Sequence, residues 1–483
     1  MGAGDVSKRI LLGRKLRSSQ LGETLLPKRI ALPVFASDAL SSVAYAPDEV
    51  FIMLAISGAW AYAFSWKIGL AVAIVMLTVV ASYRQTVHAY PSGGGDYEVA
   101  TVNLGRNAGV TVASALLVDY VLTVAVSISS AAQYAAGAIP ALIGHEATVA
   151  SVAVVLLAAM NLRGVRESGT FFAVPTYAFM FAIFGMCVYG LFQLLTGSLP
   201  QAESANLRIE SAPGWEEPLT TAALVFLLAR AFSSGCAALT GVEAISNGVP
   251  AFKRPKSANA ATTLLLLGLI AISMMMSVIV LANQMSIRYV EPRELERLVG
   301  APEGYEQHPV ISQIAAGVFD HFPPGFYFVV TVTGVILVLA ANTAFNGFPV
   351  LGSILANDGL APRSLGARGD RLAYSNGIVF LAVMSIILIE VFDAETTRLI
   401  QLYIVGVFVS FNLSQLGMIR HWTRHLATEH DPAVRRRMQR ARAINTFGLG
   451  MTAVVLVIVL TGSIVAIAYL CVLPLILRTY SVP

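Results

Sequence analysis

Long apolar runs, broken by short polar and charged stretches, fill the chain. A helix that crosses a bilayer needs roughly 20 apolar residues. On that measure the runs predict about twelve helices, over residues 30–56, 65–88, 108–137, 147–162, 171–197, 219–249, 259–284, 325–353, 375–391, 397–418, 445–461 and 463–479. The last two are short and joined tightly at Gly462. Two runs are interrupted. Phe35-Ala36-Ser37-Asp38-Ala39-Leu40-Ser41-Ser42 breaks the first and Pro47 follows it; Ser233-Ser234-Gly235-Cys236 and Thr240-Gly241-Val242-Glu243 break the sixth, closed by Pro250. The breaks lie five spans apart, so the two helices cross in opposite directions. That is the pattern of an inverted repeat with a site at discontinuous helices near the midplane. Close packing at Gly and Ser is the alternative reason for such breaks. The expected organisation is a tail over 1–29, a first repeat over 30–197, a second over 219–418 and a final pair over 445–479.

Composition narrows the class. Of the 483 residues 56% are hydrophobic and 12% charged, against about 25% charged in soluble domains. One polytopic, all-α membrane domain fits. The net charge of +4 is spread between apolar spans rather than gathered in a patch, which argues against nucleic acid as a partner. Cys187, Cys236 and Cys471 lie in apolar spans without C-x-x-C spacing and read as packing residues. The start is basic and polar, so no cleavable leader is expected.

Lys and Arg accumulate on the cytoplasmic side of membrane proteins. They are frequent in the tail (Lys8 to Arg29), in alternate loops (Arg84, Arg106; Arg163, Arg166; Lys253, Arg254, Lys256; Arg363, Arg368, Arg371) and between Arg420 and Arg442. The expected placement is the cell membrane with both termini cytoplasmic. Residues 285–324 then form the largest outside loop, with Ile311–Val318 as a short surface helix.

The candidate chemistry lies in three acids within apolar runs, Asp38, Asp119 and Glu243. A carboxylate at mid-bilayer costs about 2.5–3.5 kcal/mol on insertion scales, so such residues mark ion paths and proton relays. Helical spacing adds polar stripes: Asp38, Ser41, Ser42 and Tyr45; Asp119, Thr123 and Ser127 with Tyr120 beside them; Thr240, Glu243 and Asn247; Tyr403, Ser410 and Ser414. Carboxylates, hydroxyls and freed carbonyls suit a hard monovalent cation, and no His or Cys joins the cluster to favour a transition metal. An amino-acid carboxylate would want Gly-freed amides at the first break, which has no Gly. Plainer readings stand beside these. Asp119 can hold a neighbouring Thr or Tyr, Glu243 can pair with Arg230 or exchange a proton, and tyrosines also populate membrane interfaces.

Other features are less specific. Pro91-Ser92-Gly93-Gly94-Gly95-Asp96-Tyr97 reads as a flexible cytoplasmic turn or gate hinge and lacks the Lys and Ser/Thr of a phosphate loop. The segment from Asn161 to Glu167 reads as a basic cap. Asn342, Thr343 and Asn346 reach the cavity or act as hydrogen-bonding glue. Arg435-Arg436-Arg437 reads as an inside anchor.

Taken together, Ser37-Asp38-Ala39-Leu40-Ser41-Ser42-Val43-Ala44-Tyr45, Asp119-Tyr120-Val121-Leu122-Thr123, Ala238 to Asn247 and Leu402-Tyr403-Ile404-Val405-Gly406-Val407-Phe408 resemble the amino acid–polyamine–cation permease superfamily. Within it the chain resembles KUP-type, KimA-like proton-coupled potassium importers. The resemblance implies a LeuT-like five-plus-five inverted repeat plus two further helices. It also implies potassium bound by Asp38, Tyr45, Asp119, Thr123 and Thr240, a path lined by Tyr120, Ser127 and Tyr403, and ion or proton handling at Glu243. No cofactor is implied beyond the transported potassium and protons. KimA-like relatives carry a cytoplasmic C-terminal domain for dimerisation and cyclic-dinucleotide sensing, to which nothing in this sequence corresponds. Three readings follow: a potassium–proton symporter, a proton-coupled amino-acid or polyamine permease, and an ion sensor that moves nothing. An enzyme is not expected, since no nucleophile–base pair emerges, and no nucleotide-binding loop supports a primary pump.

Overall fold

The computed structural model describes residues 25–163, 169–302, 304–366 and 374–461. The predicted twelfth span, the loop basics Arg166, Arg368 and Arg371, and Cys471 fall outside them. The first span is α1 (Lys28–Ser41), a 3-10 turn over Ser42–Ala44, and α2 (Ala46–Ala55). Then come α3 (Ser65–Ala89), a short α4 (Gly95–Leu104), α5 (Arg106–Ala138), α6 (Glu146–Leu162) and α7 (Gly169–Thr196). The sixth span is again split, into α8 (Thr221–Gly235), a 3-10 turn over Cys236–Leu239, and α9 (Glu243–Asn247). It is followed by α10 (Lys256–Gln284), α11 (Val310–Val318), α12 (Pro323–Asn357), α13 (Ser375–Val391), α14 (Thr396–Thr428) and α15 (Pro432–Thr461). Among the described residues nine spans are long and apolar enough to cross a membrane, while α6 and α13 are shorter apolar helices. Strands β1 (Arg208–Ile209) and β2 (Leu298–Val299) pair antiparallel as a small ribbon outside the bundle.

Four of the first five spans pack on the span five places later. This holds for spans one and six, two and seven (α3 on α10), three and eight (α5 on α12) and four and nine (α6 on α13). The pairs that can be followed run antiparallel. Phe35 lies against Gly248, Asp38 against Gly241 and Val50 against Gly235; Val80 meets Gly268 while Gly69 meets Ile279. Two halves related by inversion produce this arrangement, and it brings both interrupted helices together at the centre.

Three expectations change. Residues 91–97 are only partly a turn, because Gly93, Gly94 and Gly95 all have positive φ and turn the chain sharply into α4. The helix over 311–318 is not superficial: α11 is largely buried against α7, α10 and α12. Its first amide, Val310 N–H, donates to Asp48 Oδ1 at 3.2 Å, which anchors it to α2. The helices α14 and α15 run well past the apolar stretches predicted at 397–418 and 445–461 and pack on each other, because charged residues end a hydrophobic run without ending a helix. Asn161 Nδ2 also donates to Asn342 Oδ1 at 2.7 Å, which supports the reading of Asn342 as hydrogen-bonding glue, here between α6 and α12.

One loop contact has a pH signature. His308 Nδ1 and Glu203 Oε1 lie 2.7 Å apart. Hydrogen bonding to Glu203 holds the imidazole above its ordinary value, against the opposing effect of burial. A raised His contributes stability that is fully present below the unfolded value of about 6.5 and is lost as pH rises through the folded value. Both side chains are about a third exposed, so the contribution is about 1 kcal/mol or less. Glu203→Gln should therefore lower the melting midpoint near pH ~6 and leave it unchanged near pH ~9. An equal loss at both values would show that the contact does not depend on the proton.

Candidate functional site

The interruption in the first span frees a hydroxyl network. Asp38 sits in the last turn of α1, where its carbonyl accepts from Ser41 Oγ at 2.7 Å and Ser42 Oγ at 3.3 Å. Ser42 Oγ also lies 2.8 Å from the Tyr45 hydroxyl and 2.7 Å from Thr240 Oγ1. Tyr45 and Thr240 are themselves 3.5 Å apart. Ser42 thus joins the two broken helices across 198 residues of sequence, a role that its place in the polar stripe did not disclose.

Thr240 reaches this point because the sixth span is not helical there. Its backbone is extended, and Thr240 Oγ1 donates to Ala237 O at 2.8 Å. Gly241 follows with φ of 80°. A Cβ on Gly241 would lie 2.7 Å from Ala39 N and 2.9 Å from the Asp38 carboxyl carbon, so the backbone of one break rests directly on the acid of the other. The expected helical stripe of Thr240, Glu243 and Asn247 is accordingly broken: Thr240 precedes the turn, and α9 begins only at Glu243.

The third span supplies Asp119, 3% exposed, and Thr123, 1% exposed. Thr123 Oγ1 donates to the Tyr403 hydroxyl of α14 at 3.0 Å. Glu243, Asp38 and Asp96 lie within electrostatic reach of Asp119. Asp38 Oδ1, Asp119 Oδ1 and Glu243 Oε2 are all buried without a hydrogen-bond partner. The three acids therefore converge, and none shows a salt bridge among the described residues. The Arg230 pairing considered for Glu243 is not formed: Arg230 instead lines a separate pocket with Ser233, Ser234 and Gln401. Ser127 is buried one turn beyond Thr123. Tyr120 is partly buried, its ring lying against Gly347 of α12 and within electrostatic reach of the three acids.

Three acids escaped the sequence reading. Asp96, on α4, is 1% exposed. Its Oδ2 accepts from the Tyr83 hydroxyl of α3 at 2.6 Å and Ser410 Oγ of α14 at 2.7 Å. The Tyr403, Ser410 and Ser414 stripe is thereby divided between two places. Asp48 and Glu49 are buried on α2. They fall inside the predicted span 30–56, so the cost of placing a carboxylate in hydrocarbon was the signal that could have found them.

Buried carboxylates with free oxygens, held between two interrupted and oppositely directed helices, define a polytopic membrane protein and make its centre the candidate site. The chain belongs to the amino acid permease family, which it matches over residues 36–480. It is 44% identical over 417 residues to the potassium transporter KimA of Bacillus subtilis (strain 168), covering 86% of this chain and 64% of that protein. It thus spans less than two thirds of that relative's length. A further match, 91% identity over 34 residues, involves the palmitoyltransferase ZDHHC16 of Mus musculus and covers 7% of this chain and 9% of that protein. Among solved structures, a manganese transporter of Eremococcus coleocola is 13% identical with a TM-score of 0.41, over 93% of this chain and 96% of that one.

Proposed function

We propose that the protein is a secondary active transporter that imports potassium coupled to protons. The observation that carries this reading is the convergence of Asp38 and Asp119, each with a free buried oxygen, on the hydroxyls of Tyr45, Thr123 and Thr240. Two carboxylates surrounded by hydroxyls favour a hard monovalent cation. In this reading those five residues hold potassium, and Tyr120, Ser127 and Tyr403 line its path. Glu243, close to both aspartates and without a cation of its own, takes and releases the coupled proton. The basic end of the bundle, where Arg424 reaches Asn103 O at 3.4 Å, faces the cytoplasm. The division into repeats 30–197 and 219–418 accords with the pairing of spans five apart. Likeness to a potassium transporter supports the choice of ion.

The family's description favours one alternative, an amino-acid or polyamine permease whose substrate ammonium would sit on Asp38 or Asp119. Purified protein in liposomes separates the two. Potassium uptake should rise with an inward proton gradient and be indifferent to added amino acids and polyamines. Amino-acid uptake without potassium flux would replace the proposal with the alternative.

A further inference from the structure

A second cavity lies on the other side of Tyr45 from the central site. It is enclosed by α2, α5, the segment 289–292 and the start of α14. Its open space is about 20 Å³ for the centre of a water-sized sphere, room for one or two species of that size. Tyr45 forms part of its wall while directing its hydroxyl to Ser42 and Thr240, so its ring stands between this cavity and the central acids.

Four acids line this cavity: Asp48, Glu49, Glu291 and Glu395. Their partners differ. Glu395 is held by Arg293 and by Arg398. Asp48 Oδ1 accepts the first amide of α11. Glu49 is 1% exposed and its Oε2 has no partner; it faces the hydroxyls of Thr397 and Ser234. Glu291 lies within electrostatic reach of Arg398, Arg293 and Arg230, so the arginines around the cavity act on Glu291 and Glu395 and not on Glu49. A buried acceptor left without a partner is costly, and here it borders a water-sized space among further oxygens. No group of three His, Cys, Asp or Glu has metal-ion spacing among the described residues, which speaks against a tightly held multivalent ion.

We infer that this vestibule is a second, outer cation site, with Glu49 its principal ligand and Asp48 and Thr397 beside it. It takes an unhydrated or partly hydrated monovalent cation and loads the central site past Tyr45. The inference rests on the central site carrying potassium inward.

Two measurements test it. In liposomes, Glu49→Gln should raise the external potassium concentration for half-maximal uptake about tenfold, a larger change than that in the maximal rate. An unchanged half-maximal concentration would overturn the outer site. Independently of any variant's folding, wild-type protein loaded with thallous ion, an electron-dense potassium surrogate, should show density beside Glu49 Oε2. An empty vestibule with an occupied centre would also overturn it. Wild-type protein that moves no potassium and binds no thallium at the centre would count against the transport reading, which separates the two failures.

Discussion

Asp119→Asn should abolish potassium uptake while leaving a folded, inserted protein. The substitution keeps the shape of the side chain and removes its charge. Interactions with a charged group are worth about 1.5–3 kcal/mol, so the loss of uptake should be at least about 10–150-fold. Stability should hold or rise, because Asp119 Oδ1 has no protein partner to lose. The check is liposome uptake alongside the melting midpoint and elution volume of the purified variant. Uptake at the wild-type rate would remove Asp119 from the ion site.

The second large effect is expected at Gly241. Its φ of 80° is left-handed, which costs a residue with a Cβ roughly 1–2 kcal/mol. The added methyl also meets Ala39 N at 2.7 Å and the Asp38 carboxyl at 2.9 Å, where backbone on one side and the site acid on the other leave it no room. Gly359 supplies the control, since its φ is 71° and nothing lies within 4 Å of its built Cβ. Gly241→Ala should lower the melting midpoint more than Gly359→Ala and should lose uptake, whereas Gly359→Ala should retain it. Equal effects would mean that backbone strain alone matters at Gly241 and that its contact with Asp38 does not.

The apolar runs revealed the spans because hydrocarbon imposes length and composition on every crossing helix. The two breaks were legible because polar and charged residues interrupted apolar sequence at matching places. What stayed hidden had other causes. Ser42 was visible as a polar residue, but its tie to Thr240 depends on folding two distant segments together, and one sequence carries no record of that pairing. α4 was hidden behind Gly93–Gly95, whose sharp turn was read as the whole feature. With it went Asp96, which gains its place only when Tyr83 and Ser410 arrive from two other helices. α11 was judged exposed because it lies in a polar loop, yet a backbone bond to Asp48 draws it inward.

The position of Asp96 bears on the conformational equilibrium. Its carboxylate accepts hydroxyls from α3, in the first half of the molecule, and from α14, in the second. Any motion that parts these helices toward the basic end must release at least one of the two bonds, each worth about 1.5–3 kcal/mol when one partner is charged. That energy is comparable with the gaps of a few kcal/mol that separate alternating conformers. A single carboxylate could therefore act as a detent, setting how much of its time the molecule spends closed on that side.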